Sequence, residues 1–356
     1  MHYCKPTEKW MRAMSEKERY DAAPKRPRKK KARRPRAERV TVTLLSLLFL
    51  VVAGVAVVKY VVRAPEPVDD TPPQDTQTDG AETDGGDTEV IANGRARKQY
   101  CYTILLSGID NGAGGSDTNI LMRFDAVNKT IDLVSLPRDS LMSSGHKLNY
   151  AYAKGGTDQL RAEIADLLGI PVDFYVSVDL KGFIELVDQI DGVDFDVPIN
   201  MDYDDPYQDL HIHFKKGMQH LNGQQAMEVV RFRHNNDGTG YGTEDIGRIG
   251  TQQAFLKAVA QKLLKIENVP AMAEVFLKYV KTDLTLGNLV WLGNEALSMG
   301  GTDAISFHTL PGDGTGWYKG ASVYTLDPEA VLALVNSALN PYMDDISAED
   351  MNILVP

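Results

Sequence analysis

The nineteen-residue stretch Val40–Val58, VTVTLLSLLFLVVAGVAVV, carries no charge and constrains this chain more than any other feature. It is long enough to cross a bilayer as a helix. A helix in a soluble core would show a polar stripe, whereas the polar residues here, Thr41, Thr43 and Ser46, lie near one end. The basic run Lys25–Arg39, KRPRKKKARRPRAER, abuts it on one side and Lys59, Tyr60 and Arg63 follow on the other. One transmembrane helix over residues 40–62 is predicted, with residues 1–39 as a cytoplasmic tail and everything after it outside the cell membrane. A cleaved signal peptide fits less well, because the apolar run exceeds an ordinary leader's and no small-x-small site follows. Topology and anionic lipid headgroups account for the basic cluster, so no nucleic-acid partner is expected.

The net charge of −11 conceals two opposite halves. Residues 1–63 hold 17 Lys and Arg against 5 Asp and Glu, and residues 64–356 hold 21 against 44. Residues 64–98 are rich in Pro, Asp, Thr and Gly with few large apolar side chains, the composition of a flexible acidic linker. The two cysteines, Cys4 and Cys101, fall on opposite sides of the predicted span, so the exported part is expected to fold without a disulfide.

From residue 99 to about 345 helical and strand patterns alternate. Tyr100–Leu106 is a continuous apolar run suited to a strand buried on both faces, and Ile120–Asp125 and Thr130–Ser135 read as two further strands. Residues 155–168 follow with helical period and Thr157 as the expected N-cap, then a strand at 174–180, a helix at 181–190 and a strand at 192–198. Asn222 and Gln225 have the residue types of a capping box. Beyond residue 270 come helices at 271–281 and 286–298, a strand at 305–310 and a helix at 327–339. The alternation implies an α/β fold, a layered α/β/α domain with a central mixed sheet.

Chemistry-bearing residues concentrate at three places. In Val229–Gln252, VVRFRHNNDGTGYGTEDIGRIGTQ, a strand would set Arg231 and Arg233 on one face with Phe232 in the core. A helix from near Thr243 would align Asp245, Arg248 and Gln252 on one stripe. Converging guanidinium groups suit phosphate oxygens, and a solvated strand face with an Arg248–Asp245 pair is the other reading. Asp110 and Asp117 flank a glycine-rich loop at a strand end, where two carboxylates suit a hard cation such as Mg²⁺ and where turn chemistry is the alternative. Arg138-Asp139, in SLPRDS, is a further anion anchor or a surface ion pair.

The segments LLSGIDN, GSDTNILMRFD, IDLVSLPRDS, KLNYAYAKGG, LLGIPVDFYVSVDLKGFIELVDQIDGVDFDV, HFKKGMQHLNGQQAMEVVRFRH and DIGRIGTQQ together resemble the LytR-CpsA-Psr family in order and spacing. The resemblance is dense over residues 100–265 and thin from about 270. It implies an Mg²⁺- or Mn²⁺-dependent enzyme of a Gram-positive-type envelope that moves a glycopolymer, such as a teichoic acid or capsule, from polyprenyl pyrophosphate to peptidoglycan. On this reading Asp110 and Asp117 bind metal and Arg138, Arg231, Arg233 and Arg248 bind pyrophosphate. Lys147, Asn149, Asp139, Asp245 and Gln252 surround the head group, with Asp139 the candidate general base. Many members carry arginine where this chain has Gly115 and Thr251. A pyrophosphatase, or a lipid-sensing protein without catalysis, would use the same residues.

Overall fold

The structure is a computed structural model that describes residues 62–68, 91–92, 95–110, 115–207, 209–242, 244–263 and 269–356. The basic tail and the predicted membrane span up to residue 61 lie outside these, as do the side chains of Asp110 and Asp245. Among the described residues no helix is long and apolar enough to cross a membrane.

The central sheet starts with β1 (Cys101–Asp110), whose apolar run returns through β2 (Gly115–Asp125) and β3 (Thr130–Leu136) as an antiparallel meander. Helix α1 (Leu148–Leu168) then crosses over to β4 (Phe174–Asp179), which lies parallel to β1. Helix α2 (Leu180–Gln189) follows, capped by the Asp179 carboxylate accepting from the Gly182 N–H. Two antiparallel ribbons extend outside the main sheet. Strands β5 (Val193–Val197) and β8 (Gly217–Leu221) form one, and β6 (Met201–Asp205) and β7 (Leu210–Phe214) the other. Three helices come next: α3 (Gly223–Arg231), α4 (Glu244–Leu263) and α5 (Val269–Tyr279). A short β9 (Lys281–Thr282), helix α6 (Leu286–Ser298) and β10 (Ile305–Thr309) complete the sheet in the order β9-β4-β1-β2-β3-β10. The chain closes with the hairpin β11 (Gly312–Tyr318) and β12 (Ala321–Leu326), then α7 (Pro328–Leu334), which widens into a π-turn over Val335–Leu339.

Both faces of the sheet are covered, so the layered, mixed α/β expectation holds for the described residues. Leu105, Leu121 and Val134 pack on one face beneath Leu160 and Ile164 of α1 and Val331 of α7. Tyr102, Ile104 and Ile120 pack on the other with Leu292 of α6, and Leu256 of α4 and Phe276 of α5 lie against them. A separate cluster joins α2, α3, α4 and the ribbons through Val187, Phe195, Ile212, Phe232 and Phe255. Residues beyond 270 are therefore part of this domain: β9 and β10 are its edge strands.

Helix α1 begins at Leu148, ahead of the expected residue 155, because Leu148 and Ala151 bury a first turn. It breaks at Gly155 and Gly156, the latter at φ +66°, a backbone that side chains bearing Cβ rarely take. Thr157 thus opens a second helical segment and its hydroxyl lies 3.5 Å from that of Ser177.

The folded region reaches back into the stretch read as linker. Arg97 is buried and pairs through two nitrogens with Asp173, at 2.6 and 2.8 Å. The same carboxylate accepts from the Thr103 backbone N–H at 2.9 Å, joining the starts of β1 and β4. Burial opposes the Arg97 charge, but the hydrogen bonds and field of Asp173 outweigh it and raise the guanidinium pKa. Arg95 pairs with Asp350 at 2.9 Å, and Asn288 donates to the Arg63 carbonyl at 3.2 Å. Composition concealed these anchors, since one well-placed cation can tie down a polar segment. The far end also extends past residue 345: Ile346 is buried and Met351 and Ile353 pack on the core. Cys101 is a buried free thiol whose pKa burial pushes up to about 12.

Removing one partner of a buried pair strands the other charge, which typically costs about 3–5 kcal/mol. Asp173→Ala is expected to lose that much in urea unfolding of the purified chain, with an unchanged denaturant slope. A loss below about 1 kcal/mol, the value of an exposed pair, would show that the ion pair does not clamp the sheet.

Candidate functional site

Strands β1, β3, β4 and β10 all run in one direction, so their carboxyl ends, with the start of β2, share one end of the sheet. Open α/β sheets characteristically hold ligands outside the carboxyl ends of their strands. A shallow, open recess lies there, lined by Asp117, Asn119, Ser135, Arg138, Arg248 and Gln252 among others.

Asp117 reaches this recess because the β1–β2 ladder slips by one residue. Gly108 pairs with Thr118 and Ile109 with Ser116, leaving Asp117 as the extra residue of a bulge. A bulge bends its strand and re-aims the side chain. Asp110 ends β1 opposite Gly115, so the backbones of the two aspartates occupy the same hairpin end. Strand β3 stops at Leu136 because Pro137 has no N–H to donate. The following turn, closed by the Ser140 N–H on the Pro137 carbonyl at 3.0 Å, sets Arg138 and Asp139 at its corner.

Arg138 donates to the Asp117 carboxylate. Its neighbour Asp139 accepts from Lys147 at 3.0 Å, and the Asn149 N–H bonds the Arg138 carbonyl at 3.0 Å. Four sequence candidates, Arg138, Asp139, Lys147 and Asn149, thus belong to one hydrogen-bonded corner. Helix α4 contributes Arg248, which is 5% exposed, and Gln252 to the lining of the recess. Gln252 donates to the Val230 carbonyl at 3.1 Å, tying α4 to the segment that carries Arg231.

The strand expected at residues 231–233 is a helix end instead. The capping box formed by Asn222 and Gln225 starts α3, and Ala226, Met227 and Val229 bury its inner face. Arg231 is the last helical residue, with a guanidinium nitrogen 3.8 Å from the Met227 sulfur, and Phe232 breaks the helix with extended backbone. Arg231 and Arg233 therefore do not share a strand face. Arg233 is exposed, and neither arginine lines the recess.

Two positions that sequence reasoning passed over complete the site. The Gln253 amide nitrogen lies 3.0 Å from the Ser135 hydroxyl, 2.9 Å from the His308 carbonyl and 3.2 Å from the Thr309 hydroxyl. It bolts α4 to the ends of β3 and β10 and so sets where Arg248 and Gln252 face. Asn119 is buried at the recess, and its Oδ1 accepts no hydrogen bond among the described residues. The adjacent glutamines in GTQQ and the asparagine in SDTN were the available signals.

The Asp117 carboxylate and the unsatisfied Asn119 oxygen are hard donors, a set that fits Mg²⁺ or Mn²⁺. Thr251 is 4% exposed, with its hydroxyl 2.7 Å from that of Tyr241 and 3.3 Å from the Gly247 carbonyl. Tyr241 lies so close over α4 that a Cβ on Gly247 would fall 2.2 Å from the tyrosine's own Cβ. Burial raises the Tyr241 pKa, against the opposing effect of the Thr251 contact. At Gly115 a Cβ would meet only the Asn149 carbonyl, at 3.7 Å.

A sequence profile of the LytR_cpsA_psr family matches residues 73–339. The chain is 31% identical over 269 residues to the polyisoprenyl-teichoic acid–peptidoglycan teichoic acid transferase TagV of Bacillus subtilis (strain 168), covering 69% of this chain and 66% of TagV. It is 32% identical over 254 residues to TagU of Bacillus cereus, a transferase of the same description, covering 68% of this chain and 79% of the relative. The crystal structure of B. subtilis TagV superposes with a TM-score of 0.59 at 27% identity, over 67% of this chain and 95% of that one. A structure of TagT bound to LI-WTA aligns at 0.51 and 25% identity, over 66% and 87%. With the matched region taking in most of its length, the chain belongs to the LytR_cpsA_psr family.

Proposed function

We propose that this protein transfers a glycopolymer of the teichoic acid type from a polyprenyl-pyrophosphate carrier to peptidoglycan. The observation that carries the proposal is the convergence of Arg138 and Arg248 with Asp117 and Gln252 on one recess at the carboxyl end of the sheet. The transferase descriptions of TagV and TagU support it. A span at residues 40–62 with its basic flank inside would present this recess to carrier lipid and wall on the outer side.

In the reaction an acceptor sugar hydroxyl attacks the phosphorus nearest the polymer. Its oxygen–phosphorus bond forms as the bridging bond breaks, and polyprenyl phosphate departs with the electron pair. Little covalent chemistry is asked of the protein, which orients the phosphates and offsets their developing charge. Arg138 and Arg248 hold phosphate oxygens in the recess, while Arg231 and Arg233, which do not line it, act only on parts of the substrate that extend beyond it. Gln252 and Asn149 orient the head group, and Asp245 precedes Arg248 by three positions in α4. Asp139 receives the acceptor proton, steadied by Lys147 at 3.0 Å. Mg²⁺ or Mn²⁺ held by Asp110 and Asp117 would supply further neutralisation of phosphate charge.

A second reading, a polyprenyl-pyrophosphate-binding protein without transfer, is favoured by Thr251. The position that holds arginine in many members is here a buried hydroxyl beside Tyr241. Product analysis separates the readings: polymer joined to peptidoglycan, lipid bound unchanged, or polymer phosphate released to water by a pyrophosphatase.

Arg248→Ala should lower transfer from lipid-linked polymer to peptidoglycan by roughly 10- to 100-fold, the value of one charge-assisted contact of about 1.5–3 kcal/mol. Wild-type transfer rates in that variant would remove the recess from the reaction. Chelation with EDTA should abolish turnover and added Mg²⁺ restore it in the wild type but not in Asp117→Ala; full activity in EDTA would overturn the metal assignment. The two departures from the family pattern should behave differently. Gly115→Arg has room and is expected to tighten pyrophosphate-lipid binding about tenfold by calorimetry with an unchanged melting temperature. Thr251→Arg forces a charge into a packed site and should destabilise the fold by about 1–3 kcal/mol or more. Equal effects of the two substitutions would contradict the packing described for them.

A further inference from the structure

We propose that the β6–β7 ribbon carries a binding site for a transition-metal ion of the Zn²⁺ type, made of residues that do not line the recess described above. The two strands pair antiparallel with Asp202 opposite His213 and Asp204 opposite His211. Strand alternation buries Met201, Leu210, Ile212 and Phe214 and turns all four of these acids and histidines to the outer face. That face therefore consists of metal-ligating groups. One ring nitrogen from each histidine and one oxygen of Asp204 lie within 4.8 Å of one another.

The geometry goes beyond proximity. Zinc bonds nitrogen and oxygen at about 2.0–2.1 Å in a tetrahedron, so ligand atoms on one ion sit roughly 3.4 Å apart. The His213 Nε2 to Asp204 Oδ1 separation is 3.4 Å. The other ring nitrogen of His213, Nδ1, is held by Asp202 at 2.7 Å. That is the outer carboxylate which, in metal sites, orients an imidazole so that its free nitrogen faces the ion. His211 stands at the neighbouring position; its Nδ1 is hydrogen-bonded to Asp204 at 2.5 Å, closer than two ligands of one ion sit, so an ion joining all three residues would replace that hydrogen bond. Imidazole with carboxylate selects zinc-like ions over Mg²⁺, which prefers oxygen alone.

An ion here would act on the arginine-bearing loop as well as on the ribbon. The Asp202 N–H donates to Asn235 Oδ1 at 2.7 Å, and the Asn236 N–H donates to the Asp202 carbonyl at 3.1 Å. His234 packs edge-on against Tyr203, with ring centroids 5.5 Å apart. The segment after Arg233 is thus sewn to β6, and fixing β6 to β7 through a metal fixes the seam's anchor.

The test is calorimetric titration of the tag-free, full-length chain with ZnCl₂, beside its melting curve. Saturable binding of one Zn²⁺ per chain with a raised melting temperature is expected. Asp202→Asn should weaken it about tenfold, as loss of an outer-shell partner does, and His213→Ala by more. His220→Ala is the control: His220 makes the same exposed contact, 2.7 Å to Asp194, outside the cluster, and its loss should leave affinity unchanged. Melting curves without zinc identify a variant that fails to fold, and His211→Gln then replaces it. Absence of binding to the wild type, binding undiminished in His213→Ala, or an equal loss in His220→Ala would each overturn the site.

Discussion

The Arg97–Asp173 pair is the constraint on which the sheet's arrangement rests. Its carboxylate serves a guanidinium and the N–H and hydroxyl of Thr103 together, so the segment leading into β1, β1 itself and the start of β4 are tied at one buried point. Arg161 reinforces it from α1 by donating to the carbonyls of Val172 and Asp173 at 2.7 and 2.8 Å. All of this lies at the amino ends of the parallel strands. The opposite ends are left to residues chosen for chemistry, because the alignment of β1 with β4 is already determined where those strands begin.

How much of this was legible follows the range of each interaction. Periodicity accounts for the strands and helices over residues 101–198 except the helical turn at 148–154, since burial on one or both faces writes itself into neighbouring residues. The segment Val229–Arg233 was misread because its alternation looks extended over five residues, while the capping box seven positions upstream had already committed the chain to a helix. Arg97 and Arg95 were invisible in another way. Their partners lie 76 and 255 residues away, and nothing local distinguishes them from linker arginines.

The candidate site was legible in its parts and not in its assembly. Arg138, Arg248, Asp117 and Gln252 could be named from the sequence, and they do border one recess. The means of bringing them together could not be read: a one-residue slip that throws Asp117 outward, and Gln253 spanning the ends of two strands. Both depend on register between strands, which a single sequence leaves open.

The break in α1 at Gly155 and Gly156 makes one secondary-structure element serve two masters. Its first turn bonds the Arg138 turn through the Leu148 and Asn149 N–H groups while burying Leu148 and Ala151, and Leu160, Ile164 and Leu168 beyond the break continue the core. Because the backbone turns aside at these two glycines, the turn that meets Arg138 need not share an axis with the turns seated on the sheet, and each can be aligned to its own partner.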